Sequence, residues 1–168
     1  MKPILETERL LLRHFATDDA KFITELVNTP GWIEFIGDRN IKTDEQAKKY
    51  LENGPLKSYE LNGFGLYLVE LKNEKTPIGM CGIIKRDYLE NPDIGFAFLP
   101  LHTGKGFAFE MANATMIYAK DKLKLPTVFA ITVSENIRSI NLLMKLGMKF
   151  TKLFCSPGDN EELMLYSS

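Results

Sequence analysis

The sequence predicts an α/β fold of the α+β kind, organised around one mixed β-sheet. Three observations indicate it: apolar strand patterns that pair as hairpins, one strand–helix–strand crossover in the second half, and no linker, repeat or low-complexity run. With 168 residues, of which 45% are hydrophobic and 26% charged, the chain is long enough to bury a sizeable core. We therefore expect a single domain that spans residues 1–168.

The first third of the chain combines one strand with two helices. Leu10–Arg13 has the apolar run of a short buried strand. A Thr-Asp-Asp start signal predicts a helix over residues 17–28, ended by the Thr-Pro-Gly that follows it. We expect residues 32–41 to be irregular. A second helix is predicted over residues 43–55, where Asn-Gly-Pro stops it.

The rest of the chain supplies the remaining strands, one long helix and one short helix. Residues 73–75 are polar and turn-like, which makes the strands on either side an antiparallel hairpin. Pro100 stops the next strand, and Gly147 stands where the cap of the last helix belongs. The predicted elements are strands over 65–71, 77–84 and 93–99, a helix over 106–123, a strand over 128–133, a helix from Asn136, and closing strands over 148–154 and 163–166 joined by a turn at 157–160.

The stretch from Leu99 to Ala108 (LPLHTGKGFA) carries the strongest functional signal. An apolar strand ends at Pro100, a glycine-bearing loop follows, and the long helix begins directly after it. Such a loop directs successive backbone N–H groups into one concavity at the positive end of the helix dipole. Gly104 and Gly106 permit the close approach of an anion, because neither has a Cβ. The pattern predicts a cradle for a phosphate or pyrophosphate.

Two familiar phosphate motifs fit this loop poorly. A P-loop needs Ser or Thr after its lysine, whereas Lys105 is followed by Gly106. The dinucleotide fingerprint needs a third glycine, and the corresponding residue is Phe109. A third motif, Gln/Arg-x-x-Gly-x-Gly/Ala, matches at Gly104 and Gly106 and departs from the pattern at Leu101.

This third motif is the acyl-CoA-binding loop of the GNAT acetyltransferases, and two further segments resemble the same superfamily. Residues 6–13 (ETERLLLR) resemble the first strand of its ribosomal-protein N-terminal acetyltransferase branch. Residues 136–148 (NIRSINLLMKLGM) resemble that branch's Asn-x-x-Ser-(x)-Leu-Glu-Lys-Leu-Gly-Phe helix. The three segments follow the order and the separations of the family, so the resemblance covers nearly the whole chain.

The resemblance implies a seven-stranded, mostly antiparallel sheet with about four helices, and acetyl-CoA as the cosubstrate. The pantetheine arm would pair as an added strand with the residues before the loop, and a backbone N–H of Phe98 or Leu99 would polarise the thioester carbonyl. Asn136 and Ser139 would contact CoA, with capping of the last helix as their competing role. The pyrophosphate would bind the loop itself, at His102, Thr103, Gly104, Lys105, Gly106, Phe107 and Ala108.

The chemistry that the resemblance implies is direct attack of a neutral primary amine on the thioester, without a metal or a covalent enzyme intermediate. Glu34 lies where the family builds its acceptor pocket and is a candidate general base. Asp93, which opens the strand before the loop, is another candidate. Ser139 is the second catalytic candidate, because its hydroxyl can hydrogen-bond the departing thiolate. The tyrosine that many relatives place in the last helix is replaced by Leu143.

The predicted function is therefore an N-acetyltransferase that acts on a protein N-terminal α-amine, as in the ribosomal-protein branch, or on a small-molecule amine. The missing tyrosine leaves a non-catalytic acyl-CoA-binding sensor or interaction module as the alternative. The loop alone is also compatible with a nucleotide-binding protein.

Composition argues against several other classes. A formal net charge of −1 disfavours nucleic-acid binding by bulk charge. No run approaches the ~18 apolar residues of a membrane span, and the N-terminus turns charged by Glu6, without the hydrophobic stretch of a signal peptide. Two cysteines, Cys81 and Cys155, make no disulfide framework. We expect a cytoplasmic protein that is a monomer or homodimer and has no metal, membrane or nucleic-acid partner.

Overall fold

The computed structural model describes residues 2–158 and 160–168, and it has the mixed α/β fold that the sequence predicts. Asp159, in the predicted turn between the last two strands, lies outside the described residues. The strands are β1 Leu5–Glu6, β2 Leu10–Arg13, β3 Leu66–Leu71, β4 Pro77–Ile84, β5 Asp93–Phe98, β6 Phe129–Thr132, β7 Lys149–Cys155 and β8 Glu162–Ser167.

These strands form one sheet in the order β1-β2-β3-β4-β5-β6-β8-β7. Every pairing is antiparallel except that of β5 with β6. The hairpin predicted around residues 73–75 is confirmed, with Leu68 opposite Met80. The expected number of seven strands is low by one within the described residues. The additional strand is β1, whose two residues pair with Leu11 and Leu12 and are too few to leave a pattern in the sequence.

Six α-helices lie within the described residues, so the expected number of about four is also low. Short 3₁₀ turns precede α1 and α5, at Thr17–Asp19 and Pro100–His102. The helices are α1 Ala20–Val27, α2 Pro30–Phe35, α3 Asp44–Leu51, α4 Lys57–Asn62, α5 Phe107–Asp121 and α6 Ile137–Lys145.

The helix α2 corrects the prediction that residues 32–41 are irregular. Pro30 ends the preceding helix pattern, but it also occupies the first turn of α2, where its missing N–H breaks no helical hydrogen bond. The side chain of Trp32 is buried and anchors this short helix to the core. The same proline thus stops one helix and starts the next.

The helix α4 corrects the predicted stop at Asn53-Gly54-Pro55. The chain passes through a π-helical segment, Glu52–Leu56, whose wider turn accommodates the missing N–H of Pro55. It then continues as α4 to Gly63, whose φ of 74° forms a left-handed cap. The ring of Tyr59 in α4 stacks on Tyr67 of β3 with centroids 5.1 Å apart, so packing against the sheet holds this helix in place.

The helices cover the two faces of the sheet as separate layers. On one face α5 and α6 pack through residues such as Met111, Ala112 and Leu143 against Ile94 of β5. On the other face α1, α2 and α3 pack around Leu99 and Met80, and the half-buried Ala97 joins them. Successive residues of β5 therefore contact different layers, as the alternation of a strand requires. Within residues 2–158 and 160–168, no helix has the length and apolar character needed to cross a bilayer.

The two cysteines lie in contrasting environments. Cys81 in β4 is fully buried, and its Sγ lies 3.4 Å from Oγ1 of Thr115. Burial raises the pKa of its thiol to about 12, against the opposing effect of the Thr115 hydrogen bond. Cys155 is exposed and is the last residue of strand β7.

We predict that native protein treated with a disulfide reagent at pH 8 shows one fast-reacting thiol per chain. Cys155 reacts as an exposed residue, whereas Cys81 reacts at least about 100-fold more slowly, because only the thiolate is nucleophilic and burial disfavours it. Colorimetric thiol counting measures both rates. Cys155→Ser should abolish the fast phase, and equal rates for both thiols would contradict the structure.

Candidate active site

The two parallel strands at the centre of the sheet separate after a single residue pair. Asp93 is paired with Phe129, and the N–H of Phe129 donates to the carbonyl of Pro92 at 2.8 Å. Beyond that pair, no further β5–β6 pairing occurs within the described residues. The remainder of β5 thus leaves a gap in the sheet that β6 does not fill.

The backbone of Phe98 faces this gap, whereas that of Leu99 does not. The N–H of Leu99 donates to the carbonyl of Ile78 in β4 at 2.9 Å. Residues of an antiparallel pair alternate between hydrogen-bonded and non-hydrogen-bonded positions, so the N–H and C=O groups of Phe96 and Phe98 point away from β4. Of the two donors expected from the sequence, only Phe98 offers a backbone N–H to the gap.

The loop that follows β5 has the form of an anion cradle. Gly104 and Gly106 have φ angles of 75° and 82°, in the left-handed region that favours glycine, and Gly106 is the N-cap of α5. Within the described residues, the backbone N–H groups of residues 104–109 have no hydrogen-bond acceptor. These donors lie at the positive end of α5. The loop therefore fits a pyrophosphate, and the free edge of β5 fits an amide-bearing arm.

Some side chains of the loop form hydrogen bonds within it, and others are exposed to solvent. The hydroxyl of Thr103 donates to the carbonyl of Pro100 at 2.8 Å and closes the turn. Lys105 is exposed, and Leu101 is 81% exposed, so the departure from the family motif at Leu101 places an apolar side chain in solvent. The Nδ1 atom of His102 is buried without a partner among the described residues.

Three residues, Thr7, Arg9 and Glu110, form a contact that we call the Glu110 latch. The Oε1 atom of Glu110 accepts from the hydroxyl of Thr7 at 2.7 Å and from the N–H of Arg9 at 3.0 Å. The Nε of Arg9 donates to Oε2 at 2.6 Å. Although desolvation acts in the opposite direction, these hydrogen bonds lower the pKa of Glu110. The carboxylate thus ties the β1–β2 turn to the first turn of α5.

Arg9 also holds the loop directly. Its Nη1 donates to the carbonyl of Lys105 at 3.1 Å, and its guanidinium lies 4.5 Å from the centre of the Phe107 ring. Sequence reasoning matched residues 6–13 to a family strand but missed this role for Thr7, Arg9 and Glu110. The available signal was the polar Glu-Thr-Glu-Arg run directly before an apolar strand.

The last helix presents Asn136 and Ser139 in its first turn. The side-chain oxygen of Asn136 accepts from the backbone N–H of Ser139 at 3.1 Å, so the capping role weighed for Asn136 is confirmed. Lys145 of this helix lies 4.3 Å from the ring centre of Phe109, which links α6 to α5. Leu143, at the position of the absent tyrosine, is buried in the core.

The two candidate carboxylates differ sharply in their surroundings. Glu34 lies on α2 and is exposed. Asp93 is only 1% exposed and forms an ion pair with Arg86, with 2.8 Å between Oδ1 and Nε. Among residues 2–158 and 160–168, no group of three or more His, Cys, Asp and Glu side chains is arranged to hold a metal ion.

Comparison with known proteins identifies the family. Residues 9–149 match the family model "Acetyltransferase (GNAT) domain", which covers most of the chain, so the chain belongs to the GNAT acetyltransferases. This is a family of acyl-CoA-dependent enzymes, in agreement with the resemblance of the loop. Two relatives come from Bacillus subtilis. The uncharacterized N-acetyltransferase YoaA is 29% identical, and the match covers 89% of this chain and 84% of YoaA. The uncharacterized N-acetyltransferase YnaD is 28% identical, and the match covers 94% of this chain and 90% of YnaD.

Solved structures of the same fold include proteins with different acceptors. A GNAT-family acetyltransferase from Bacillus anthracis has a TM-score of 0.81 and 26% identity, with 98% of this chain and 96% of that chain covered. RimL, a ribosomal L7/L12 α-N-protein acetyltransferase in complex with coenzyme A, has a TM-score of 0.83 at 14% identity, with 99% and 97% covered. The spermidine N-acetyltransferase SpeG from Vibrio cholerae has a TM-score of 0.74 at 21% identity, with 96% and 94% covered.

We predict that Glu110→Ala weakens the binding of acetyl-CoA about tenfold, a loss of about 1.4 kcal/mol. The substitution removes the acceptor of the Thr7 and Arg9 hydrogen bonds and releases the loop that we expect to bind the pyrophosphate. Calorimetric titration with acetyl-CoA measures the change. Glu8→Ala, which removes an exposed carboxylate from the same segment, is the matched control and should bind normally. Equal affinities for all three proteins would show that the latch does not position the loop.

Proposed function

We propose that this protein transfers an acetyl group from acetyl-CoA to a primary amine. The observation that carries the proposal is the gap beside β5, which leads directly into the cradle at the N-terminus of α5. In the reaction the amine nitrogen forms a bond to the carbonyl carbon, the carbon–sulfur bond breaks, and the amine loses a proton while the thiolate leaves. The family match supports this activity, and no observation favours the non-catalytic alternative.

The residues proposed to hold acetyl-CoA follow from the geometry of the gap and the loop. The backbone of Phe98 would pair with the pantetheine arm and donate to the thioester carbonyl, while Leu99 fixes the strand through its bond to Ile78. Asn136 and Ser139 would contact the cosubstrate from the first turn of α6. The pyrophosphate would lie on the loop, formed by His102, Thr103, Gly104, Lys105, Gly106, Phe107 and Ala108.

Two side chains are proposed for catalytic roles on the family resemblance, Ser139 and Glu34. The hydroxyl of Ser139 has no hydrogen-bond partner within the described residues, which supports a role in hydrogen-bonding the leaving thiolate. The exposed position of Glu34 supports its proposed role as the general base for the incoming amine.

The charge of a nearby depression supports a choice of acceptor. A cavity of about 510 Å³ lies between residues 39–41 and one face of α3, and its lining includes Arg39, Lys49 and Tyr50 but no carboxylate. Tyr50 packs on the same hydrophobic cluster as Ala97 and Leu99, so the depression lies on the α1–α3 side of the sheet. A cationic lining favours an acceptor that carries carboxylates, such as an acidic protein N-terminus, over a polyamine.

The first test of the function is acetyl-CoA binding and turnover by the wild type and by Gly106→Glu. The glutamate adds bulk and negative charge where the pyrophosphate is proposed to bind, at a residue with a φ of 82°, so we expect calorimetric binding of acetyl-CoA to be lost. Wild-type protein should consume acetyl-CoA with at least one acceptor from a panel of N-terminal peptides and small amines. A folded wild type that binds acetyl-CoA and acetylates none of them would exclude the proposed activity.

The roles of Ser139 and Glu34 are tested by Ser139→Ala and Glu34→Gln. We expect kcat to fall about tenfold or more for Ser139→Ala, since the departing thiolate loses a donor. We expect kcat/KM for the amine to fall about tenfold or more in Glu34→Gln, because the carboxylate proposed to take the amine proton is removed. If either variant keeps the wild-type kcat/KM, the role proposed for that residue is wrong.

The choice of acceptor is tested by reversing one charge in the depression. Lys49→Glu should lower kcat/KM about tenfold for a peptide with Asp at positions 2 and 3, and should have little effect on the same peptide with Asn there. Lys48→Glu makes the same change on α3 outside the depression and serves as the matched control. Faster acetylation of spermidine than of the acidic peptide by the wild type would contradict the proposed acceptor class.

A further inference from the structure

Strand β7 buries neither of its faces. A strand at the margin of an antiparallel sheet commonly packs one face on the core and exposes the other. Of the seven residues of β7, six are exposed and Phe154 is half-buried. The exposed residues include Phe150 and Leu153, and half of the surface of each is accessible to solvent. A strand that exposes large apolar side chains on this scale offers a surface on which another polypeptide can pack.

The outer backbone edge of β7 is also unpaired within residues 2–158 and 160–168. The strand ends the sheet, and its neighbour in the strand order is β8. The opposite margin of the sheet is β1, which offers only two residues to an added strand. Unpaired N–H and C=O groups along a seven-residue edge form a template for pairing with another chain. Of the two margins of the sheet, β7 therefore provides the longer free edge.

The exposed apolar side chains of β7 lie on the side of the sheet that α6 covers. Leu153 is opposite Met164 of β8, which packs against the core beneath α5 and α6. The ring of Phe150 contacts the ring of Tyr166, a member of the same core, edge-on with centroids 5.9 Å apart. Because paired residues of neighbouring strands share a face, Phe150 and Leu153 point to the α6 side.

The two neighbours of Leu153 in the strand, Lys152 and Phe154, lie on the other side of the sheet. Successive residues of a strand point to opposite faces, so both differ from Leu153 in orientation. The register of β7 on β8 shifts between Phe150 and Lys152, and residues 152–155 follow it with regular pairing. Residues 152–155 are therefore the part of the edge best suited to an added strand.

The charges along β7 favour a second copy of this chain as that strand. Lys149 and Lys152 lie in its first half, whereas Glu162 of β8 lies beside its end, opposite Cys155. Lysines on an edge strand usually prevent pairing with another chain. A copy related by a two-fold axis runs antiparallel, and it places the basic beginning of one strand beside the acidic end of the other. The edge is thus complementary to itself in charge as well as in hydrogen bonding.

We propose that β7 pairs antiparallel with β7 of a second copy of this chain, about a two-fold axis at Leu153. Directly opposed residues of an antiparallel pair share a face. With the axis at Leu153, the leucines of the two copies meet on the α6 side, and each Lys152 lies opposite the partner's Phe154. With the axis at Lys152, the two lysines would instead oppose and repel each other. The dimer joins the two sheets into one continuous sheet.

Helix α6 extends this surface beyond the strand. Lys145 lies over the ring of Phe109, so one flank of α6 faces α5. The helical repeat places Ile137 and Met144, which are 58% and 55% exposed, on the flank away from α5. That flank faces the β7 margin, because α5 packs on β4 and β5 and the sheet continues through β6 and β8 to β7. A specific interface buries about 800 Å² on each partner, and the apolar flank of α6 adds area to that of the strand.

The first test is the mass of the protein in solution, measured by analytical ultracentrifugation. We expect the wild type to sediment as a dimer, and Leu153→Asp to raise the Kd of the dimer about 100-fold or more, since each dimer exchanges two apolar contacts for two opposed carboxylates. Leu153 is half-exposed, so the variant should keep the wild-type Tm within a few degrees. Ile117→Asp makes the same change at an exposed apolar residue of α5 and is the matched control. A wild type that is monomeric at every concentration measured, or a Leu153→Asp variant that dimerises like the wild type, would overturn the inference.

The position of the axis is tested by a disulfide between the two copies. Leu153→Cys/Cys155→Ser places one exposed cysteine at the axis, where directly opposed Cβ atoms lie about 4.5–5.5 Å apart, so oxidation with diamide should give a covalent dimer on a non-reducing gel. Ile117→Cys/Cys155→Ser should stay monomeric on the same gel. A protein that is dimeric in solution but forms no disulfide at residue 153 would show that the copies pair through another surface. Both tests are independent of the proposed acetyl transfer, which could fail or hold with either result.

Discussion

The separation of two parallel strands after one residue pair is the constraint on which the rest of the site depends. Because β6 leaves β5 at Asp93 and Phe129, the backbone of Phe96 and Phe98 has no partner strand on that side. Unpaired backbone groups in a sheet interior each cost about 1–3 kcal/mol when they are kept from water. The open edge is tolerated where solvent or an added strand satisfies it. The gap is therefore a binding surface built from backbone, with little dependence on which side chains flank it.

The two helical layers keep this gap open from either face. Leu99 anchors the end of β5 in the layer of α1–α3, and Ile94 anchors its start under α5. Between these anchors, residues 95–98 are only half-buried. The layer that carries α5 supplies the cradle, and the opposite layer supplies the cationic depression. The loop at the N-terminus of α5 and the depression beside α3 thus belong to opposite helical layers, with the gap in the sheet between them.

Features that depend on neighbours in the sequence could be predicted, and features that depend on distant residues could not. The β3–β4 hairpin and the loop at Gly104 and Gly106 follow from local turn and glycine signals. Helix α4 was missed because the stacking of Tyr59 on Tyr67 outweighs the Asn-Gly-Pro stop signal. The sequence also ranked Glu34 and Asp93 as similar carboxylates, since burial and the ion pair to Arg86 arise only from tertiary packing. The conformation of the glycine loop was thus predictable, whereas the contrast between the two carboxylates arises only in three dimensions.

The Glu110 latch has a consequence for when the binding loop forms during folding. Its hydrogen bonds join Thr7 and Arg9 to Glu110, which follows Thr7 by 103 residues and Arg9 by 101 residues. Contacts of such high sequence separation close a long loop of chain, and they form after the local hairpins and helices. A nascent chain can therefore pair β2 with β3 early, while the contact between the β1–β2 turn and α5 waits for α5 to be synthesised. The loop before α5, which Arg9 holds, therefore reaches its final position as one of the last events of folding.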